Sequence, residues 1–189
     1  MTKLTRQDFA AAMTGVRGLL RLDARALSLF DGSHDGFWKS FWAAAILAPL
    51  VALGVARAVV EHPPESLPRY LAFQVIAYAL DWLAYPFAMV WIADHLGRRD
   101  RYYGYIAAYN WFQIAETVAS TALVLLGMTG VVPEDVETFL FLILQGLFLG
   151  YDWFIARNAL AIEGGTAAML VAIDLLLGLI ISWVAIRLP

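Results

Sequence analysis

No cysteine occurs among the 189 residues, which excludes a disulfide framework and a thiolate metal site. Charge is scarce as well: 15% of the residues are Asp, Glu, Lys or Arg, where a soluble domain carries about 25%. Histidine occurs three times, at His34, His62 and His95, in loops or at segment ends and at spacings that match no metal site or paired haem ligation. A phosphate-cradling glycine loop, an H-E-x-x-H zinc motif and a nucleophile elbow are missing too. These absences predict a non-enzymatic protein with no catalytic residues, no cofactor and no metal.

What is present is apolar. Hydrophobic residues make up 61% and aromatics 14% of the chain, and the mean hydropathy is +0.69. A bilayer core of roughly 30 Å takes about 20 apolar residues per helix. Five segments meet that requirement, at 37–60, 67–96, 103–128, 136–160 and 167–188. The breaks between them are chemically legible. "EHPPESLP" is proline-rich, "GRRDR" is cationic, "MTGVVPEDVE" sets Pro133 and three acids at a helix start, and "EGGT" is a tight turn. The predicted fold class is all-α, a polytopic membrane bundle of five transmembrane helices with an amphipathic cytoplasmic amino-terminal segment. Its domains are that segment, 1–36, and the five-helix transmembrane domain, 37–189.

Orientation follows from the basic residues. Lys3, Arg6, Arg17, Arg21, Arg25, Lys39, Arg98, Arg99, Arg101 and Arg157 fall on the amino-terminal side, against Arg57, Arg69 and Arg187 on the other. The positive-inside rule then predicts a multi-pass plasma (inner) membrane protein with its amino terminus in the cytoplasm and its carboxyl terminus outside. The first 30 residues lack the apolar core and cleavage site of a signal peptide, so they are expected to remain on the mature protein. Phe9, Met13, Val16 and Leu20 recur at helical spacing beside basic residues. Such a helix either lies in the headgroup layer or packs on the cytoplasmic ends of the bundle. "DGSHDG" reads as a turn, with Phe37, Trp38 and Trp42 at the interface.

The apolar segments carry polar residues where lipid-facing helices would not. In the third span Asn110, Gln113, Thr117 and Ser120 lie close to one face, with Glu116 at mid-depth. Gln74, Tyr78, Asp81 and Tyr85 form one continuous face of the second span, Gln145 and Asp152 share a face of the fourth, and Asp174 lies in the fifth. Charged groups at such depth cost about 2.5–3.5 kcal/mol each on insertion scales, and interhelical hydrogen bonds return about 0.6. The candidate polar cavity is therefore Gln74, Tyr78, Asp81, Asn110, Gln113, Glu116, Gln145, Asp152 and Asp174. Arg157 is the one plausible internal cation, and interhelical glue remains the competing reading. Pro49 and Pro86 are expected to free backbone carbonyls inside their helices. Gly146 and Gly150, in "GLFLG", form a small-xxx-small candidate for helix packing, within the bundle or against a second protomer. "RRDRYYGY" is basic and aromatic but sits at the membrane surface, which fits anionic lipid and not nucleic acid.

Five spans, an inside amino terminus and the run "GRRDRYYGYIAAYNWF" leading into the third span together resemble the bacterial branch of the Yip (Ypt/Rab-interacting protein) family of membrane proteins. The resemblance covers residues 37–188, mostly as topology. It implies a non-enzymatic scaffold or accessory subunit that contacts membrane lipids and a protein partner, or a second copy of itself, and organises membrane. The polar residues at depth imply an alternative, a small proton- or cation-coupled transporter or channel with a midplane cavity lined by Asp81, Glu116 and Asp152. A third is a lipid-handling protein whose polar groove opens sideways to the bilayer. A pathway requires the acids to converge; glue requires only local partners.

Overall fold

A computed structural model describes residues 3–187. Residues 1, 2, 188 and 189, and with them the predicted end of the fifth span, lie outside the described residues. Every regular element among those described is helical: α1 (Arg6–Leu19), α2 (His34–Ser40), α3 (Trp42–Glu61), α4 (Leu67–His95), α5 (Tyr102–Met128), α6 (Glu134–Ala159) and α7 (Gly164–Arg187), with short 3-10 turns at Ala24–Leu29 and Arg99–Arg101. Five stretches are long and apolar enough to cross a membrane: His34–Glu61, Leu67–His95, Arg99–Met128, Glu134–Ala159 and Gly164–Ala185. They coincide with the predicted spans, except that the first is interrupted at Phe41 between α2 and α3. The division at residue 36 consequently falls inside α2.

Local chemistry sets the helix ends. Thr5 and Asp8 close a reciprocal capping box at the start of α1. At the end of α4, Gly97 adopts φ +63°, and the N–H groups of Gly97 and Arg98 donate back to the carbonyls of Asp94 and Ala93, a left-handed termination that favours glycine. Pro133 caps α6, whose first turn holds Glu134, Asp135 and Glu137 against the positive end of the helix dipole.

The central element is α5, which packs against α1, α2, α3, α4 and α6, while α7 closes a ring by joining α6 to α4. Burial along these helices is one-sided in depth. Residues 105–112 of α5 are all buried, and Met89, Ala93, Ile155, Ala156, Leu160, Ala167 and Leu170 surround them at the same end. Beyond Phe112 no described residue of α5 is buried. The reason lies in α1 and α2, which cover the amino-terminal end of the bundle only.

The amino-terminal segment therefore packs on the bundle. Ala12, Gly15, Val16 and Leu19 form the buried face of α1, Phe9 meets Trp111 edge to face at 5.9 Å, and the Tyr151 hydroxyl donates to the Leu20 carbonyl. Of the predicted apolar stripe, Val16 is buried and Met13 half-buried, but Phe9 and Leu20 are exposed, so the packed face is rotated from the expected one. Lys39 on α2 pairs with both Asp8 and Asp35, fastening α1 to α2.

At the opposite end one cluster joins three helices. Arg57 of α3 pairs with Glu137 of α6 and with Glu61, and its Nη1 donates to the Val124 carbonyl of α5. A Cβ at Gly127 would collide with the Glu137 carboxylate, so this glycine makes room for the cluster. Nothing in the local sequence around Arg57 marks this role, because its partners Glu137 and Val124 lie on other helices.

Candidate functional site

A chamber of about 440 Å³ lies inside the ring, lined from all five long helices. Leu47 and Val51 of α3 form one wall. From α4 come Tyr78, Asp81, Trp82 and Tyr85; from α5, Tyr109, Asn110, Gln113, Glu116 and Thr117. Gln145, Leu149 and Asp152 of α6 and Asp174, Gly178 and Ser182 of α7 complete it. The helical spacings explain this convergence, because residues three, four and seven apart stack on one face of a helix.

Eight of the nine candidate cavity residues therefore meet: Tyr78, Asp81, Asn110, Gln113, Glu116, Gln145, Asp152 and Asp174. Gln74 does not line the chamber; it lies one turn beyond Tyr78 on α4, half-buried. Arg157 also departs from expectation. It is exposed, with its guanidinium over the Trp153 ring at 5.1 Å, and it does not reach the acids. Gly146 and Gly150 are exposed, and a Cβ at either would meet no atom within 4 Å, so they form no tight crossing within the chain.

The polar contacts divide into two kinds. Asn110 donates from Nδ2 to Ser40 Oγ at 2.8 Å, and Ser40 Oγ donates to the Phe37 carbonyl. The Tyr78 hydroxyl donates to the Ala44 carbonyl at 2.7 Å, linking α4 to α3, two helices that otherwise hardly touch. These are structural ties. The acids are less well satisfied. Tyr109 donates to Asp174 Oδ2 at 2.7 Å. Oxygens Glu116 Oε1 and Asp152 Oδ1 are nevertheless buried without a partner. Among the described residues no Lys, Arg or His lines the chamber, and no three acidic or histidine side chains are grouped closely enough to hold a metal ion.

Tyr109 is a chamber residue that sequence reasoning passed over. Its signal was present, since it lies seven residues before Glu116 and so shares its face of α5. Trp82 and Ser182 give no comparable pattern. The chamber is open: Asp81, Gln145 and Ser182 line it and are exposed. In comparisons with known proteins, no family model, curated protein or solved structure matches the chain.

Proposed function

We propose that this chain is a non-enzymatic, multi-pass protein of the plasma (inner) membrane that binds and passes protons or a small cation through the chamber. Support comes chiefly from one observation: Asp81, Glu116, Asp152 and Asp174, from four helices, line a single space that no basic side chain enters among the described residues. Unpaired carboxyl oxygens in a membrane interior are costly, and a cation or proton entering the chamber relieves that cost. The volume lies within the range of small-molecule sites. Tyr78, Trp82, Tyr85 and Tyr109 add aromatic faces suited to an organic cation. At 1.5 Å per residue, Asp152 lies about 10 Å, Asp174 about 15 Å, and Asp81 and Glu116 about 21 Å from the helix ends on the amino-terminal side. The backbone positions that carry the acids thus stand at graded depth. The ten-to-three division of basic residues supports a cytoplasmic amino terminus.

Purified protein in vesicles containing a pH-sensitive dye tests this reading when a gradient of protons, ammonium or methylammonium is imposed. Flux above that of empty vesicles, reduced at least tenfold by Glu116→Gln or Asp152→Asn in folded protein, is expected, the factor corresponding to about 1.4 kcal/mol. No flux above the empty control, or flux unchanged in both variants, overturns it.

A scaffold or accessory-subunit role, as in the Yip-like reading, draws support from a different observation. Gly146 and Gly150 present an uncovered small-residue face on α6 that permits close approach of another helix. Because the chain has no cysteine, a Gly150→Cys variant reports directly on this. A disulfide-linked dimer formed in native membranes supports self-association through α6, and a wholly monomeric product removes it.

A further inference from the structure

A second cavity, of about 530 Å³, lies on the outside of the bundle where α2 and the Phe41 break face α4. Its floor is apolar. Leu80, Leu83, Phe87 and Val90 run along α4, and Phe37 and Trp38 face them from α2. Four of these are open to the surroundings, with Phe87 72%, Leu83 52%, Trp38 51% and Leu80 45% exposed. From Leu80 to Val90 the groove extends about 15 Å, half of a bilayer core of roughly 30 Å. It lies within candidate spans, so its apolar floor is presented at bilayer depth.

The two ends of the groove differ in chemistry. Leu80 and Leu83 close the deep end. At the other, Arg99 donates from Nη1 to the Val90 carbonyl at 2.9 Å and lies over the Tyr102 ring at 5.7 Å, so its guanidinium is held at the mouth. His34 stands at the same end, its Nε2 accepting from Trp38 Nε1, which leaves Nδ1–H as a donor. Arg98 and Arg101 flank Arg99, and among the described residues no carboxylate forms an ion pair with any of the three. An amphiphile with an apolar chain one leaflet long and an anionic head matches both the length and the polarity of this groove.

We infer that the groove is a binding site for an anionic phospholipid, one acyl chain lying along α4 and the phosphate meeting Arg99. The site is separate from the carboxylate chamber and does not depend on the function assigned to it. Arg99 provides the charge preference; the aromatic and aliphatic floor holds the chain without regard to headgroup.

The protein, reconstituted in phosphatidylcholine vesicles containing a minor share of phosphatidylglycerol and then released into mild detergent, is examined by native mass spectrometry for retained lipid. Phosphatidylglycerol is expected to be enriched about fivefold over its share in the vesicle, the factor that ~1 kcal/mol from one membrane-surface basic residue supplies. Arg99→Gln should abolish the enrichment. Arg101→Gln, an equal change of charge at a residue that does not line the groove, should keep it. Leu83→Trp, which fills the deep end, should reduce retention of both lipids, with circular dichroism checking that each variant is folded. No enrichment in the wild-type chain, enrichment that survives Arg99→Gln, or equal loss in Arg99→Gln and Arg101→Gln overturns the assignment.

Discussion

Asp8 shows how much one half-buried side chain can organise. Its Oδ2 accepts from the Thr5 backbone N–H at 2.9 Å and from the Thr5 hydroxyl at 2.8 Å, and Lys39 approaches from α2. These contacts, the Thr5 backbone bond foremost, hold its carboxyl below the usual value of 3.8. A lowered folded-state value means that the contribution is complete above about 3.8 and is lost as pH falls through the folded value. Asp8→Asn should therefore lower the melting temperature near neutral pH, and the gap between variant and wild type should close on acidification below 3.8. A gap that persists in acid would show that the carboxylate charge is not the source. At this scale the candidate site was legible in the sequence wherever a polar residue broke an apolar face, as Asp81, Glu116 and Asp152 do. Tyr109 was harder to find because tyrosine is ordinary in such helices, so its seven-residue spacing from Glu116 does not stand out until its contact with Asp174 is seen.

Among the elements, α5 divides into two environments. The half from Tyr102 to Phe112 is enclosed by α1, α2 and the neighbouring long helices, whereas the half beyond Val118 has Val118, Leu125, Leu126 and Met128 exposed. Opening free energies follow local burial. Amide hydrogen exchange in detergent should be slowest within 105–112 and faster within 118–128, and uniform protection along α5 would contradict the packing described. Sequence reasoning placed all five long helices because apolar length is a direct physical requirement of the bilayer. It mislocated the packed face of α1, since exposed apolar residues such as Phe9 and Leu20 continue the periodic pattern and periodicity alone does not show which part of a stripe meets a partner. The Phe41 break between α2 and α3 was equally hidden, because neither proline nor glycine marks it. The close approach of the Glu137 carboxylate to Gly127 depends on another helix, so no local pattern announces it.

For the whole molecule, the order of helices around the ring decides what the polar residues mean. Sequence supplied four acids on four helices, but α7 had to lie between α6 and α4 for Asp174 to join them, and that neighbour relation is set by three-dimensional packing. The graded depths of the acids then have an electrical consequence. Under the proposed function, passage of one positive charge between the levels of the Asp152 and Asp81 backbones covers about 10 Å of a core of roughly 30 Å, and so about a third of the transmembrane voltage. With 2.3 kcal/mol per elementary charge per 100 mV, that step is biased by about 0.8 kcal/mol for every 100 mV. With the proposed cytoplasmic amino terminus, an inside-negative potential would draw the charge from Asp81 toward Asp152, so the proposed path would be inwardly biased and its occupancy would respond to membrane voltage as well as to concentration.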